Sequence, residues 1–196
     1  GDLLNPLFSP FVARDLISPS LKFEVGPYIY VKDRAYSFES KLDKNTNGFL
    51  NKQLKDYKEA EKNATIPLTF YNSVVSRDSR KMIISTQPIR FMMRSRYDST
   101  AFPGMDPDVI DFTSFFEKQD PYNIRILTAL RMNATFPIVL PNVWLPSEPV
   151  IDVMDAGLRD NYGQETGLRF LEFFEDWIAQ NTCGVLIIQL RDRPSG

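Results

Sequence analysis

Three carboxylates, Asp152, Asp155 and Asp160, fall within one short stretch of a chain that contains no histidine. Imidazole is the usual general base of serine and cysteine nucleophiles and the commonest zinc ligand, so Ser-His-Asp chemistry is excluded within these residues. Asp155 stands directly before Ala156 and Gly157, at the end of a segment that reads as a strand over 150–155. In open α/β sheets reactive groups gather outside the carboxyl ends of strands, and a small residue followed by glycine permits close approach of a second backbone or a substrate. An Asp in this place can equally form a turn by accepting hydrogen bonds from nearby amides. A cation shared by the three carboxylates is a third reading, but strand alternation puts Asp152 and Asp155 on opposite faces. No metal ligand and no cofactor are assigned.

Cys183 is the single cysteine, which excludes an internal disulfide, a CxxC pair and a multi-cysteine metal site. With no base beside it, Cys183 reads as a small buried residue at an element boundary rather than a nucleophile.

The elements that must position Asp155 are the strand over 150–155, a helix from about 164 to 179, and a second strand over 185–190. Together they predict a βαβ unit. Leu168, Phe170, Leu171, Phe173, Phe174, Trp177 and Ile178 leave the helix only a narrow polar stripe, which predicts burial against a sheet. The run Val185-Leu186-Ile187-Ile188 is continuously apolar, as in a strand covered on both faces. The expected class is therefore α/β, with a partly parallel sheet flanked by helices.

Upstream, Pro6, Pro10 and Pro19 break the apolar opening into short helical turns, and helices are expected over 33–42 and from 49 to about 62. The mixed-sign run of the second helix reads as a solvated face. Segments 68–75 and 81–86 predict a hairpin turning through 76–80. Arg77, Arg80, Lys81, Arg90, Arg94 and Arg96 gather positive charge there, read either as solubilising charge or as a contact for anionic lipid head groups. Phe112, Phe115 and Phe116 lie on one side of a short helix, as core or as the lip of an acyl pocket. A further helix runs from about 122 to 133, stopped before Pro137. The patterns Asn63-Ala64-Thr65 and Asn133-Ala134-Thr135 match a glycosylation acceptor but carry no weight without a secretory context.

The 196 residues suit one domain. With 23 Lys+Arg against 25 Asp+Glu, the broad positive field that gathers nucleic acid is missing. No apolar run reaches the ~18–20 residues of a membrane span, so the chain reads as a soluble segment. Gly1 directly before Asp2, with no initiator Met, reads as a cleavage scar and the chain as a piece of a longer polypeptide.

The residues Asn133-Ala134-Thr135-Phe136-Pro137, then a proline-rich stretch, then Val153-Met154-Asp155-Ala156-Gly157-Leu158-Arg159-Asp160-Asn161 resemble the C-terminal part of the patatin-like phospholipase family. There a small-residue segment ending in Phe-Pro precedes a strand ending in Asp-Gly-Gly or Asp-Gly-Ala, followed shortly by Asn. The run Asp33-Arg34-Ala35-Tyr36-Ser37-Phe38-Glu39 also resembles a helix start in the larger bacterial members. The departure is Ala156 where glycine is usual, a mild change if its backbone keeps negative φ.

The resemblance implies a three-layer α/β fold and a Ser-Asp dyad that needs no histidine, with Asp155 as the dyad acid. It implies lipid or related ester substrates, contact at a membrane surface and no cofactor. The family's Gly-x-Ser-x-Gly nucleophile and glycine-rich oxyanion loop do not occur in this chain, whose closest two glycines are Gly163 and Gly167. Half a dyad is present, and the other half is expected in an upstream remainder of the same polypeptide. The alternative is a non-catalytic α/β interaction module in which Asp155 is a turn residue.

Overall fold

The structure, a computed structural model, describes residues 21–95, 107–136 and 140–190. The proline-punctuated opening, Arg96 and Pro137 lie outside them.

A five-stranded mixed sheet organises the molecule. Its strands are β3 (Tyr71–Val75), β4 (Lys81–Ile84), β5 (Val109–Asp111), β6 (Val143–Leu145) and β7 (Ile151–Met154), in the order β5-β4-β3-β7-β6. The β3–β4 hairpin is antiparallel with Ser73 opposite Met82, and β7 pairs antiparallel with both β3 and β6. Among the described residues only β4 and β5 run parallel. The hairpin forms where it was expected because two β-branched, apolar segments flank a short polar turn.

Strand alternation divides the core between the two sheet faces. Met82 and Ile84 enter a cluster with Leu54, Val75, Phe112, Ile126, Met132 and Val153. Ile83, between them, joins Ile89, Met92 and Val109 on the opposite face, with Phe70, Phe91 and Phe170 packed against it. The first face is covered by α4 (Ile126–Asn133) and by α3 (Phe112–Phe115), whose N-terminus is capped by Asp111. Phe112 and Phe116 are buried while Phe115 is half exposed, so core packing accounts for two of the three. The second face receives Phe170 from α6 (Gln164–Phe173).

A separate antiparallel hairpin, β1 (Lys22–Val25) and β2 (Tyr28–Val31), turns at Gly26 with φ +59°. Its Phe23 ring lies 4.6 Å from Tyr36 on α1 (Arg34–Asn45). Asp33 caps α1 by accepting from the Tyr36 N–H at 3.0 Å, which is why the helix starts there. Glu39, fully buried, accepts from Arg125 at 3.1 Å and Arg131 at 3.4 Å and ties α1 to α4.

The expected helix over 49–62 is shorter. A 3₁₀ turn (Leu54–Tyr57) leads into α2 (Lys58–Lys62), and Phe49 is 66% exposed. Its face is not wholly solvated, because Glu61 is buried and accepts a hydrogen bond from Thr86. The basic cluster also loses a member, since Lys81 is 1% exposed.

The expected C-terminal βαβ unit is not found. Beyond α5 (Gly157–Asp160), the helix breaks at Phe174 into α6 and α7 (Glu175–Asn181), and 185–190 forms no strand. Thr166 and Arg169 are the buried residues of α6, whereas Leu168 and Phe173 stand half exposed, and Cys183 is exposed rather than buried. Apolar periodicity records which residues require burial but not whether the burying surface is present. Here residues 185–190 meet no strand edge among the described residues.

Candidate functional site

Asp155 lies at the carboxyl end of β7, where the sequence placed it, and is half buried. The chain leaving α4 holds this end. Asp155 N–H donates to the Thr135 carbonyl at 3.0 Å and Ala156 N–H to the Asn133 carbonyl at 3.2 Å. Thr135 Oγ1 donates back to the Arg131 carbonyl at 2.6 Å, and Asn133 Nδ2 donates to the Asn72 carbonyl on β3 at 2.9 Å. The two segments quoted for the resemblance are thus hydrogen-bonded neighbours, although about twenty residues separate them in sequence.

The turn after Asp155 is tight. Ala156 is buried with φ −62° and ψ −28°, so a Cβ is accommodated at this position. Gly157 donates its N–H to Asp155 Oδ1 at 2.5 Å. A Cβ on Gly157 would stand 2.7 Å from Asp155 Oδ1 and 2.8 Å from Asn161 Oδ1. The need for glycine here is one of space, not of a left-handed backbone. Asp155 Oδ2 accepts no hydrogen bond from any described residue. One carboxylate oxygen is therefore fixed and the other is open to a proton donor.

The other two carboxylates have separate work. Asp152 Oδ2 accepts from Asn142 Nδ2 at 2.8 Å. Asp160, buried, accepts from Thr166 N–H at 2.9 Å, Thr166 Oγ1 at 2.7 Å, Glu165 N–H at 3.1 Å and Lys81 Nζ at 3.3 Å. Burial alone would raise the Asp160 carboxyl, but the Thr166 hydrogen bonds and the Lys81 ammonium outweigh it and hold its pKa below the ordinary value. Among the described residues no three His, Cys, Asp or Glu side chains group to hold a metal ion.

The Lys81–Asp160 pair has no signal in the sequence, where Lys81 reads as one more basic residue of a hairpin. In the fold it joins β4 to the junction of α5 and α6, directly beyond the Asp155 turn. Arg159 adds a second tie by donating to the Ser79 carbonyl at 2.9 Å.

No protein-family model, no curated protein and no solved structure matches this chain. No helix among the described residues is long and apolar enough to cross a membrane.

Proposed function

We propose that this chain is the C-terminal part of a patatin-like acyl hydrolase domain of bacterial type, acting on lipid or related esters, with Asp155 as the acid of a Ser-Asp dyad. The observation that carries the reading is the half-buried Asp155 carboxylate, with Oδ1 pinned by the Gly157 N–H and Oδ2 without a partner among the described residues. The nucleophilic serine and the oxyanion donors belong to the upstream remainder of the polypeptide.

In the reaction, Asp155 Oδ2 takes the serine hydroxyl proton as the serine oxygen bonds to the ester carbonyl carbon. The tetrahedral intermediate expels the alcohol, which leaves with that proton, and water then cleaves the acyl-enzyme by the same steps. Ester substrates of this kind bring the protein to a membrane surface as a peripheral contact, with no cofactor and no nucleic acid.

The test is Asp155→Asn in a polypeptide extended upstream through the nucleophile. The amide keeps the shape and can still accept from the Gly157 N–H, but it cannot take the proton. We expect kcat/KM for ester hydrolysis to fall by ~10²–10⁴ at unchanged Tm, the usual worth of general-base catalysis. A variant with near wild-type turnover removes Asp155 from the mechanism and favours the turn-residue reading.

A further inference from the structure

A cavity among the β1–β2 hairpin, α3 and the turn after β6 is lined by Tyr28, Tyr30, Phe112, Phe116, Ile124 and Leu145. Leu145 pairs with Ile151 at the start of β7, so the length of that strand separates the cavity from the Asp155 turn. The space open to the centre of a water-sized sphere is about 40 Å³, roughly three times what one water needs and enough for a group of a few heavy atoms. Several polar side chains lining it are already engaged. Gln119 Oε1 accepts from the Glu148 N–H at 3.0 Å, Asn123 Oδ1 accepts from Lys55 Nζ at 2.9 Å, and Ser147 Oγ donates to the Pro149 carbonyl at 2.8 Å. Asp120 differs from these. Its Oδ2 accepts only a long hydrogen bond from the Tyr28 hydroxyl at 3.5 Å, and its Oδ1 accepts none from any described residue. The backbone of Asp120 is left-handed, with φ +47° and ψ +54°, in a position where the ring of Pro121 favours extended conformations. An Asp that opens a helical turn ordinarily caps it, yet this side chain accepts from no amide of the 3₁₀ turn Pro121–Asn123. Backbone strain of this kind clusters at ligand clamps.

We propose that this cavity binds an alkylated ammonium group, with Asp120 as its counter-charge and the tyrosine and phenylalanine residues as its apolar wall. The site is independent of the hydrolase reading. A quaternary ammonium is attracted by aromatic rings and brings no N–H donor to satisfy, which suits one open carboxylate among aromatic residues. A primary ammonium brings three N–H donors, while Gln119 Oε1 and Asn123 Oδ1 are already taken. An anion is opposed by Asp120, and Glu117 and Glu148 line the neighbouring recesses on either side.

Choline chloride titrated into the 196-residue chain and followed by amide NMR tests the proposal. Saturable shifts are expected at Tyr28 and Asp120, with a Kd of about 1–10 mM, as one exposed carboxylate and a few rings provide. Dimethylbutanol, the neutral analogue with carbon in place of the choline nitrogen, is expected to bind at least ~10-fold more weakly. Asp120→Asn keeps a residue that tolerates the left-handed backbone and removes the charge, so it is expected to weaken choline binding at least ~10-fold at unchanged Tm. Asp120→Gly relieves the strain and is expected to lose the same binding without a fall in Tm. No saturable shift by about 100 mM choline, equal binding of dimethylbutanol, or full binding by both variants overturns the proposal. Vesicle sedimentation identifies the source of the ammonium group. Retention on phosphatidylcholine but not phosphatidylglycerol vesicles, lost in Asp120→Asn, makes it a lipid head group, and choline binding without retention makes it a free solute; either result supports the site.

Discussion

At the scale of single residues, the Asp155 turn is defined by crowding. The Gly157 N–H and the space over its α-carbon are both taken up by the Asp155 carboxylate, with Asn161 on the other side. Both obstructing atoms are side-chain oxygens that can swing away, so a methyl group there displaces Asp155 more than it strains the backbone. Gly157→Ala is therefore expected to lower stability by only about 1 kcal/mol or less, since glycine in a helical conformation already carries an entropic cost relative to alanine. The same change should move the Asp155 carboxylate in a crystal structure and lower ester turnover in the extended polypeptide. An unmoved Asp155 with unchanged turnover would show that the close approach has no consequence. At position 156 the backbone is ordinary α-helical, which explains how alanine stands where the resembling family has glycine.

At the scale of elements, the junction of α5 and α6 is held to the sheet by charge in the interior. Lys81 and Asp160 are both buried, and Glu165 Oε2 lies 3.3 Å from the same ammonium. Removing Lys81 leaves the buried Asp160 carboxylate its hydrogen bonds from Thr166 and Glu165 but no opposite charge, so Lys81→Met is expected to cost about 1–3 kcal/mol by urea unfolding. Combining it with Asp160→Asn should recover part of that loss, because the buried charge left without its counter-ion is then gone. The pair also gives a pH signature. The Asp160 pKa is lower folded than unfolded, so its stabilisation is fully present above the ordinary carboxylate pKa and is lost as pH falls through the depressed folded value. Asp108 behaves alike, held low by its hydrogen bonds from Arg169 against the opposing effect of burial. Acid unfolding followed by circular dichroism should therefore show a shallower loss of stability below about pH 4 in Asp160→Asn than in the wild type. Identical acid limbs would mean that this carboxylate is not linked to folding.

At the scale of the whole molecule, the 196-residue chain is expected to be inert by itself. A carboxylate without a nucleophile and oxyanion donors can neither form nor stabilise an acyl-enzyme. Fluorophosphonate labelling and p-nitrophenyl ester turnover check this, and stoichiometric labelling of any serine here would locate a nucleophile within the chain. Much of this molecule was legible in its residues. The hairpin turning through 76–80, the helix begun at Asp33 and the strand expected over 150–155 follow from local composition and periodicity, whereas the α/β class, argued from a C-terminal βαβ unit that is absent, holds only as a mixed sheet with helices. Local sequence also marks turns and caps, because those depend on residues within one or two turns of each other. Other features rest on partners far away in sequence. Lys81 is a core residue because Asp160 lies beside it, and Glu61 is buried because Thr86 is there. Residues 185–190 have the pattern of an interior strand and stand in the open, because a strand is made by its neighbours' edges as much as by its own residues. The amino-acid sequence by itself determined where the 76–80 hairpin turns, where the helix capped by Asp33 begins and that a carboxylate stands at the end of β7. Tertiary structure alone decided that the segment leaving α4 would clasp the end of β7 and that, among the described residues, one oxygen of Asp155 would stay unpaired and only β4 and β5 would run parallel. Those outcomes depend on long-range hydrogen bonds and burial, which no local window of residues contains.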